Sequence, residues 1–244
     1  MSPLHLVNME NIPVLEQLKW EEALLRVDQR HNWCLLNHGS PPAIVMGISG
    51  DFNQLVNRKK LEANPIPVIR RFSGGGTVVI DHQTIFATFI FNSNSLPIPP
   101  FPQPIMRWTE SIYQPVFKGL PFSLKENDYV LTQEKIGGNA QSITKSRWLH
   151  HTSFLFDFNP HLMDLLLTPG KAPKYRNQRK HGDFLSCLRH YWDSIDGFKK
   201  DLIDSLQKKF AIHFVPLQEL ESIAGLPHRR TTRIEVWDSS KITV

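Results

Sequence analysis

The chain has 244 residues, 41% of them apolar and 21% charged, and no apolar run reaches the ~18 residues of a membrane span, so a soluble globular domain without a membrane partner is expected. Two cysteines, Cys34 and Cys187, without a CxxC pair exclude a disulfide framework, and eleven scattered histidines without an HExxH exclude a zincin centre. Net charge is +5, spread over "NRKK", "KYRNQRK" and "HRRTTR" rather than clustered with exposed aromatics, so no nucleic-acid partner is expected. These runs are solvated surface, or they attract an anionic ligand or an acidic protein.

The opening "MSPLHLVNMENIPVLEQL" carries Glu10 and Glu16 and no arginine-rich stretch. It does not read as a targeting segment, and a cytoplasmic location is expected. Residues 14–30 place Val14, Leu15, Leu18, Ala23, Leu24, Leu25 and Val27 at helical spacing. "NWCLLNHG" and "PAIVMGIS" read as buried strands, and Asp51 as the N-cap of a helix over about 52–63. "IPVIRRF", "TVVID" and "IFATFIF" are further strands. The proline-rich loop at 92–104 leads into a helix at about 105–117. Residues 128–158 alternate as strands and hairpins. Helices are expected around 160–167, 183–193, 197–210 and 216–224, interrupted by a strand at "AIHFVP". The fold class is α+β, with mixed or antiparallel sheets packed against helices. One domain is expected over 1–244, strand-rich over about 30–158 and helical over about 160–244.

The stretch "RRFSGGGTVVID" at 70–81 puts three glycines behind two arginines. Consecutive glycines mark backbone where a side chain would obstruct. No lysine follows Gly76 as a Walker A loop requires, and the third glycine of GxGxxG is missing. What remains is a glycine-rich turn, either bare or with N–H groups facing an anion, beside the donor fork of Arg70 or Arg71. A second cluster, "EKIGGNAQ" at 134–141, sets Lys135 before another Gly-Gly. "ENDYV" precedes it and "RWLHHTSFLF" follows. His150 and His151 are adjacent on a strand, so they face opposite sides and cannot easily share a metal.

Taken in order, "RRFSGGGTVVID", "ENDYVLTQEKIGGNAQ" and "RWLHHTSFLF" resemble the signature blocks of the lipoate–protein ligases, within the biotin/lipoate protein ligase superfamily. The resemblance implies that superfamily's catalytic-domain fold. It also implies a two-step reaction: ATP activates lipoate or octanoate as acyl-AMP, and the ε-amine of a lysine on a lipoyl domain then takes the acyl group. By resemblance, Lys135 contacts both the acyl carbonyl and the phosphate. Arg71, Ser73, Gly74, Gly75 and Gly76 surround the acyl group and adenylate, and Thr77 and Val78 continue that loop. Asn127 and Asp128 lie near the phosphates, with Asp128 as the Mg²⁺ contact. Gly138 and Ala140 line the acyl tunnel or nucleotide face, and His151 matches the second histidine of the family's pair.

The implied partners are lipoyl domains of 2-oxoacid dehydrogenase complexes or the glycine cleavage H protein. The chain is expected to stop before the accessory C-terminal domain of many bacterial ligases, whose role could fall to a separate accessory polypeptide. The basic residues Lys174, Arg176, Arg179, Arg229 and Arg230 are expected to steer the acidic acceptor. The family's Lys-x-Ser-Gly-Ser-Ala is here "KIGGNA", so Gly137 and Asn139 replace two serines, and Thr152 replaces a glycine. Two rivals stay open: an octanoyl or lipoyl acyltransferase acting through a cysteine, and a non-catalytic carrier-binding homologue. No cysteine lies within 135–158, and both thiols are expected to be packing residues.

Overall fold

The computed structural model describes residues 1–168, 173–177, 179 and 181–237. Its elements begin β1 (Ser2–Asn8), α1 (Val14–Arg26), β2 (Trp33–Asn37), β3 (Ala43–Met46), α2 (Phe52–Leu55), α3 (Arg58–Ala63) and β4 (Val68–Arg70). Next come β5 (Gly74–Gly75), β6 (Val78–Ile80), β7 (Thr84–Asn92), α4 (Pro102–Tyr113), β8 (Phe122–Lys125), β9 (Asp128–Leu131) and β10 (Glu134–Lys135). They are followed by β11 (Gly137–Ile143), β12 (Arg147–Leu155), α5 (Pro160–Met163), α6 (His181–Phe184), α7 (Ile195–Gln207), β13 (Phe210–Phe214), α8 (Leu217–Ala224) and β14 (Arg233–Ile234).

The main sheet has the order β13-β1-β2-β7-β12-β11-β5. β1 is parallel to both its neighbours, and the remaining pairs are antiparallel. Successive side chains leave a strand on opposite faces. Cys34, Leu36, Phe89, Phe91, Trp148 and Phe154 therefore pack with Ile112 of α4 and Phe198 of α7. Trp33, Leu35, Ile90 and Leu149 pack on the other face with Trp20 and Leu24 of α1 and Leu220 of α8. Both faces are covered, which is why β7 reads as a nearly continuous apolar run. Each fully buried Phe or Leu contributes about 1.5–3 kcal/mol. A four-stranded sheet, β14-β4-β3-β6, and a three-stranded one, β10-β9-β8, flank the main sheet.

Several boundaries differ from the sequence reading. The helix expected over 52–63 is two short ones. The Asp51 side chain caps the first by accepting from the Asn53 N–H at 2.9 Å, and that of Asn57 caps the second by accepting from Lys60 at 3.2 Å. α4 starts at Pro102, where proline's missing N–H has no helical partner to lose. The helix expected over 183–193 is divided into α6 and a 3₁₀ turn at Leu188–His190. Cys187 stands between them in extended conformation.

Candidate functional site

Gly74 and Gly75 form the edge strand β5, not a turn, and pair with Gln141 and Ala140 of β11. Gly75 has φ 127°, and a Cβ on it would lie 2.6 Å from the Asn139 carbonyl oxygen and 2.7 Å from Arg71 Nη2. The triplet thus lets two backbones and a guanidinium share a space too small for a side chain. Arg71 is 4% exposed. It donates to the carbonyls of Gly76 at 2.8 Å, Val45 at 3.3 Å and Gly74 at 3.4 Å, and its buried Nε has no partner among the described residues. Burial pulls its pKa down to about 10, against an opposing pull from the Glu21 carboxylate. Arg70 is otherwise committed: it forms two bonds to Glu235, beside β14, and donates to the carbonyls of Gly47, Ile48 and Gly50.

Arg71, Gly76, Val78, Gly138, Ala140 and His151 line one cavity, walled by apolar Val14, Val45 and Phe86. Its free space, about 20 Å³ for the centre of a water, holds roughly one water molecule, so an acyl chain needs side chains to turn aside. The hydroxyls of Ser73 and Thr77 are buried without a partner among the described residues.

His151 is held from behind by Glu21 of α1, which sequence reasoning missed. Its Nδ1 lies 3.0 Å from Glu21 Oε1. The same oxygen accepts from Gln17 Nε2 and from the Thr88 hydroxyl, each at 2.7 Å. Proton positions follow from one fixed end. The Ile12 carbonyl can only accept, so Asn37 presents its NH₂ to it and to Gln17 Oε1, both at 2.9 Å. Gln17 then presents its own NH₂ to Glu21. Glu21 then accepts the Nδ1–H of His151. Glu21 is fully buried. The visible signal was the pair Glu21–Glu22 within a helix whose neighbours Leu24 and Leu25 are core. Glu22 is held separately by the backbone N–H groups of Thr231 and Thr232.

His150, on the opposite face, carries its proton on Nε2. Gln141 Nε2 lies 3.0 Å from its Nδ1 and donates to it, leaving Nε2–H for Thr152 Oγ1 at 3.2 Å and Tyr129 Oη at 3.3 Å. Burial and the neighbouring His151 bring its pKa to about 3.

Lys135 sits on β10 opposite Val130, and Asp128 shares a strand face with Val130. The lysine reaches along β9 to Asp128, with Nζ 2.7 Å from Oδ1. The other carboxylate oxygen accepts from Tyr175 Oη at 2.9 Å. Neither Lys135 nor Asp128 lines the cavity; β11 connects the two places, since Lys135 lies just before it and β5 pairs along it. Asn127 is exposed in the β8–β9 turn. Its carbonyl accepts from Asn139 Nδ2 at 3.0 Å and its side-chain oxygen from Gln103 at 2.8 Å. Both oxygens of Asp128 are thus engaged, and a Mg²⁺ seated on it would have to displace one of these partners.

Cys34 is fully buried, and burial raises its thiol pKa far above the ordinary range. Burial and Asp157 push Cys187 up to about 12. Neither is an activated thiol. Of the expected steering residues, Lys174, Arg229 and Arg230 are exposed. Arg176 is not: it is buried with its guanidinium over Phe184. Gln178 and Lys180 of that basic run lie outside the described residues.

Residues 13–210 match a family model described as the lipoyl protein ligase A/B catalytic domain. The chain is 25% identical over 248 residues to "Inactive lipoate–protein ligase 2" of Plasmodium falciparum, covering 76% of this chain and 63% of that protein. It is 34% identical over 125 residues to lipoate-protein ligase LplJ of Bacillus subtilis, covering 50% of this chain and 37% of that protein. It thus spans less than two thirds of the length of either relative. Among solved structures, a bi-partite lipoate protein ligase of Thermoplasma acidophilum, described with its E2 lipoyl domain, superposes with TM-score 0.73 at 19% identity, covering 92% of this chain and 91% of that one. A lipoate-protein ligase A bound with ATP gives TM-score 0.69 at 19% identity over 91% and 92%. At these identities the likeness shows a shared fold.

Proposed function

The chain belongs to the lipoyl protein ligase A/B catalytic-domain family, and from that premise we propose that it activates lipoate or octanoate with ATP and transfers the acyl group to a lysine of a lipoyl domain. The observation that carries this reading is Arg71: a guanidinium buried in the wall of a largely apolar cavity, bonded among the described residues only to carbonyls, with one N–H unpartnered among them. A buried cation without a direct carboxylate partner is unfavourable alone and is relieved by an incoming anion.

In the first step a carboxylate oxygen of the acid attacks the α-phosphorus and pyrophosphate leaves. Two anionic groups must approach, and Lys135 supplies a compact positive charge able to meet both. Arg71 and the backbone of Gly74–Gly76 hold the acyl end. The apolar wall of Val14, Val45 and Phe86 takes the hydrocarbon. Mg²⁺ enters on the phosphates of ATP, as part of the substrate. In the second step the acceptor amine attacks the acyl carbonyl, an amide forms and AMP leaves. His151 faces the cavity with its Nδ1 held by Glu21. The exposed Lys174, Arg229 and Arg230 steer an acidic acceptor by charge.

The state of Cys34 and Cys187 supports adenylate chemistry over a thioester acyltransferase, which needs a thiolate. The relative named inactive leaves a carrier-binding role as the competing reading. ATP–pyrophosphate exchange dependent on lipoate separates the two: exchange supports the ligase, and its absence with both acids supports the carrier-binding role.

A further inference from the structure

Asp128 is 5% exposed and has one partner on each oxygen, Lys135 and Tyr175. Tyr175 comes from a separate segment and is fixed from several directions. Its N–H donates to Glu126 Oε1 at 3.1 Å, and its carbonyl accepts from Arg179 Nη2 at 3.1 Å. The Lys125 ammonium stands 5.7 Å from its ring centre. Arg179 Nη2 also donates to the Gln133 carbonyl at 2.8 Å, between β9 and β10. Arg176 and Arg179 each donate Nε to the other's carbonyl, at 2.9 and 3.1 Å, and both guanidiniums lie over Phe184. The phenol is thus anchored on the hairpin that carries Lys135. Burial and the Asp128 charge keep it above the ordinary tyrosine range, so it stays protonated and donates.

A hard cation seated on this carboxylate would have to displace the phenol and would stand within a few ångströms of the lysine ammonium, a repulsive arrangement. We propose that Asp128 is a positioning residue for Lys135 and not a metal ligand, and that Tyr175 keeps its carboxylate turned to that task. The importance of Lys135 itself rests on the ligase reading above. Holding an ammonium to one carboxylate oxygen while the other is tied back restricts where the charge can point, which is what an electrostatic catalyst needs.

The test uses the full chain with Asp128→Asn and Tyr175→Phe in three measurements. Mn²⁺ alone is titrated against protein by water-proton relaxation; no Asp128-dependent binding tighter than about millimolar is expected, whereas micromolar binding lost in Asp128→Asn overturns the proposal. Brief acetylation with mass spectrometry then reads Lys135 against the exposed Lys145. Labelling of Lys135 should rise several-fold in Asp128→Asn and measurably in Tyr175→Phe, and unchanged labelling in both contradicts it. Tyr175→Phe removes a single oxygen and keeps this arm decisive should Asp128→Asn fail to fold. Last, adenylation by Asp128→Asn should fall about 10- to 100-fold with the Mg²⁺ requirement unchanged; rescue by added Mg²⁺ would restore the metal role. A wild-type chain that forms no acyl-adenylate defeats the ligase reading, while the first two measurements still decide this one.

Discussion

Thr152 donates its hydroxyl to Asn139 across β11 and β12, 3.0 Å from Oγ1 to Oδ1, and the two are direct register partners. Each departs from the motif that the sequence resembles, and they depart as a pair. Tyr113 donates to Thr152 at 3.1 Å, and Asn139 Nδ2 holds the Asn127 carbonyl. The pair thereby ties the β8–β9 turn to the core. The third departure has a steric reason: a Cβ on Gly137 would lie 2.5 Å from the Ser153 carbonyl oxygen, so serine does not fit there.

Asn139→Ala and Thr152→Ala should therefore be non-additive. A double-mutant cycle in urea should give a coupling of about 0.5–1.5 kcal/mol. Independent effects would show that the two substitutions are unrelated.

Lys135→Ala should lower acyl-adenylate formation by about two to three orders of magnitude, as for one electrostatic donor at a reacting centre. Removing the ammonium takes one partner from the buried Asp128 carboxylate, so the unfolding midpoint should also fall, and turnover is compared at a temperature where the variant is folded. Near-normal turnover would make the lysine a bystander.

Local signals carried much of this architecture. Period-2 alternation identified the central strands and set His150 and His151 on opposite faces, and ordered motifs picked out Arg71, Lys135 and Asp128. What escaped depends on pairs distant in sequence. Glu21 meets His151 across 130 positions and Tyr175 meets Asp128 across 47, and no periodicity reports either. The glycine triplet read as a turn because its composition is a local turn signal, while its pairing with β11 is not local. The helix breaks at residues 56–57 and 185–187 were hidden by apolar spacing that continues through them.

Stability should fall with acid in a way traceable to His150. Its folded value, about 3, lies below the ordinary 6.5, so folding favours the neutral ring. This contribution is fully present above pH 6.5 and is lost as pH falls toward 3, since the unfolded chain takes up the proton first. The slope is about 1.4 kcal/mol per pH unit. Urea midpoints between pH 7 and 4 should show a shallower decline in His150→Gln; identical slopes would place the acid sensitivity elsewhere.

Replacing Cys34 and Cys187 with alanine should leave acyl transfer intact, with a modest loss of stability from the buried Cys34. Capture of an acyl-thioester on either residue by mass spectrometry would revive the acyltransferase reading.

The central claim is that the Arg71 cavity and Lys135 together activate a carboxylic acid with ATP. The direct measurement is incorporation of labelled pyrophosphate into ATP by the purified chain, with lipoate or octanoate, MgATP and no acceptor. The account predicts acid-dependent exchange that Lys135→Ala and Arg71→Met each abolish. Exchange absent from the folded wild-type chain with both acids, or surviving both substitutions, would contradict it.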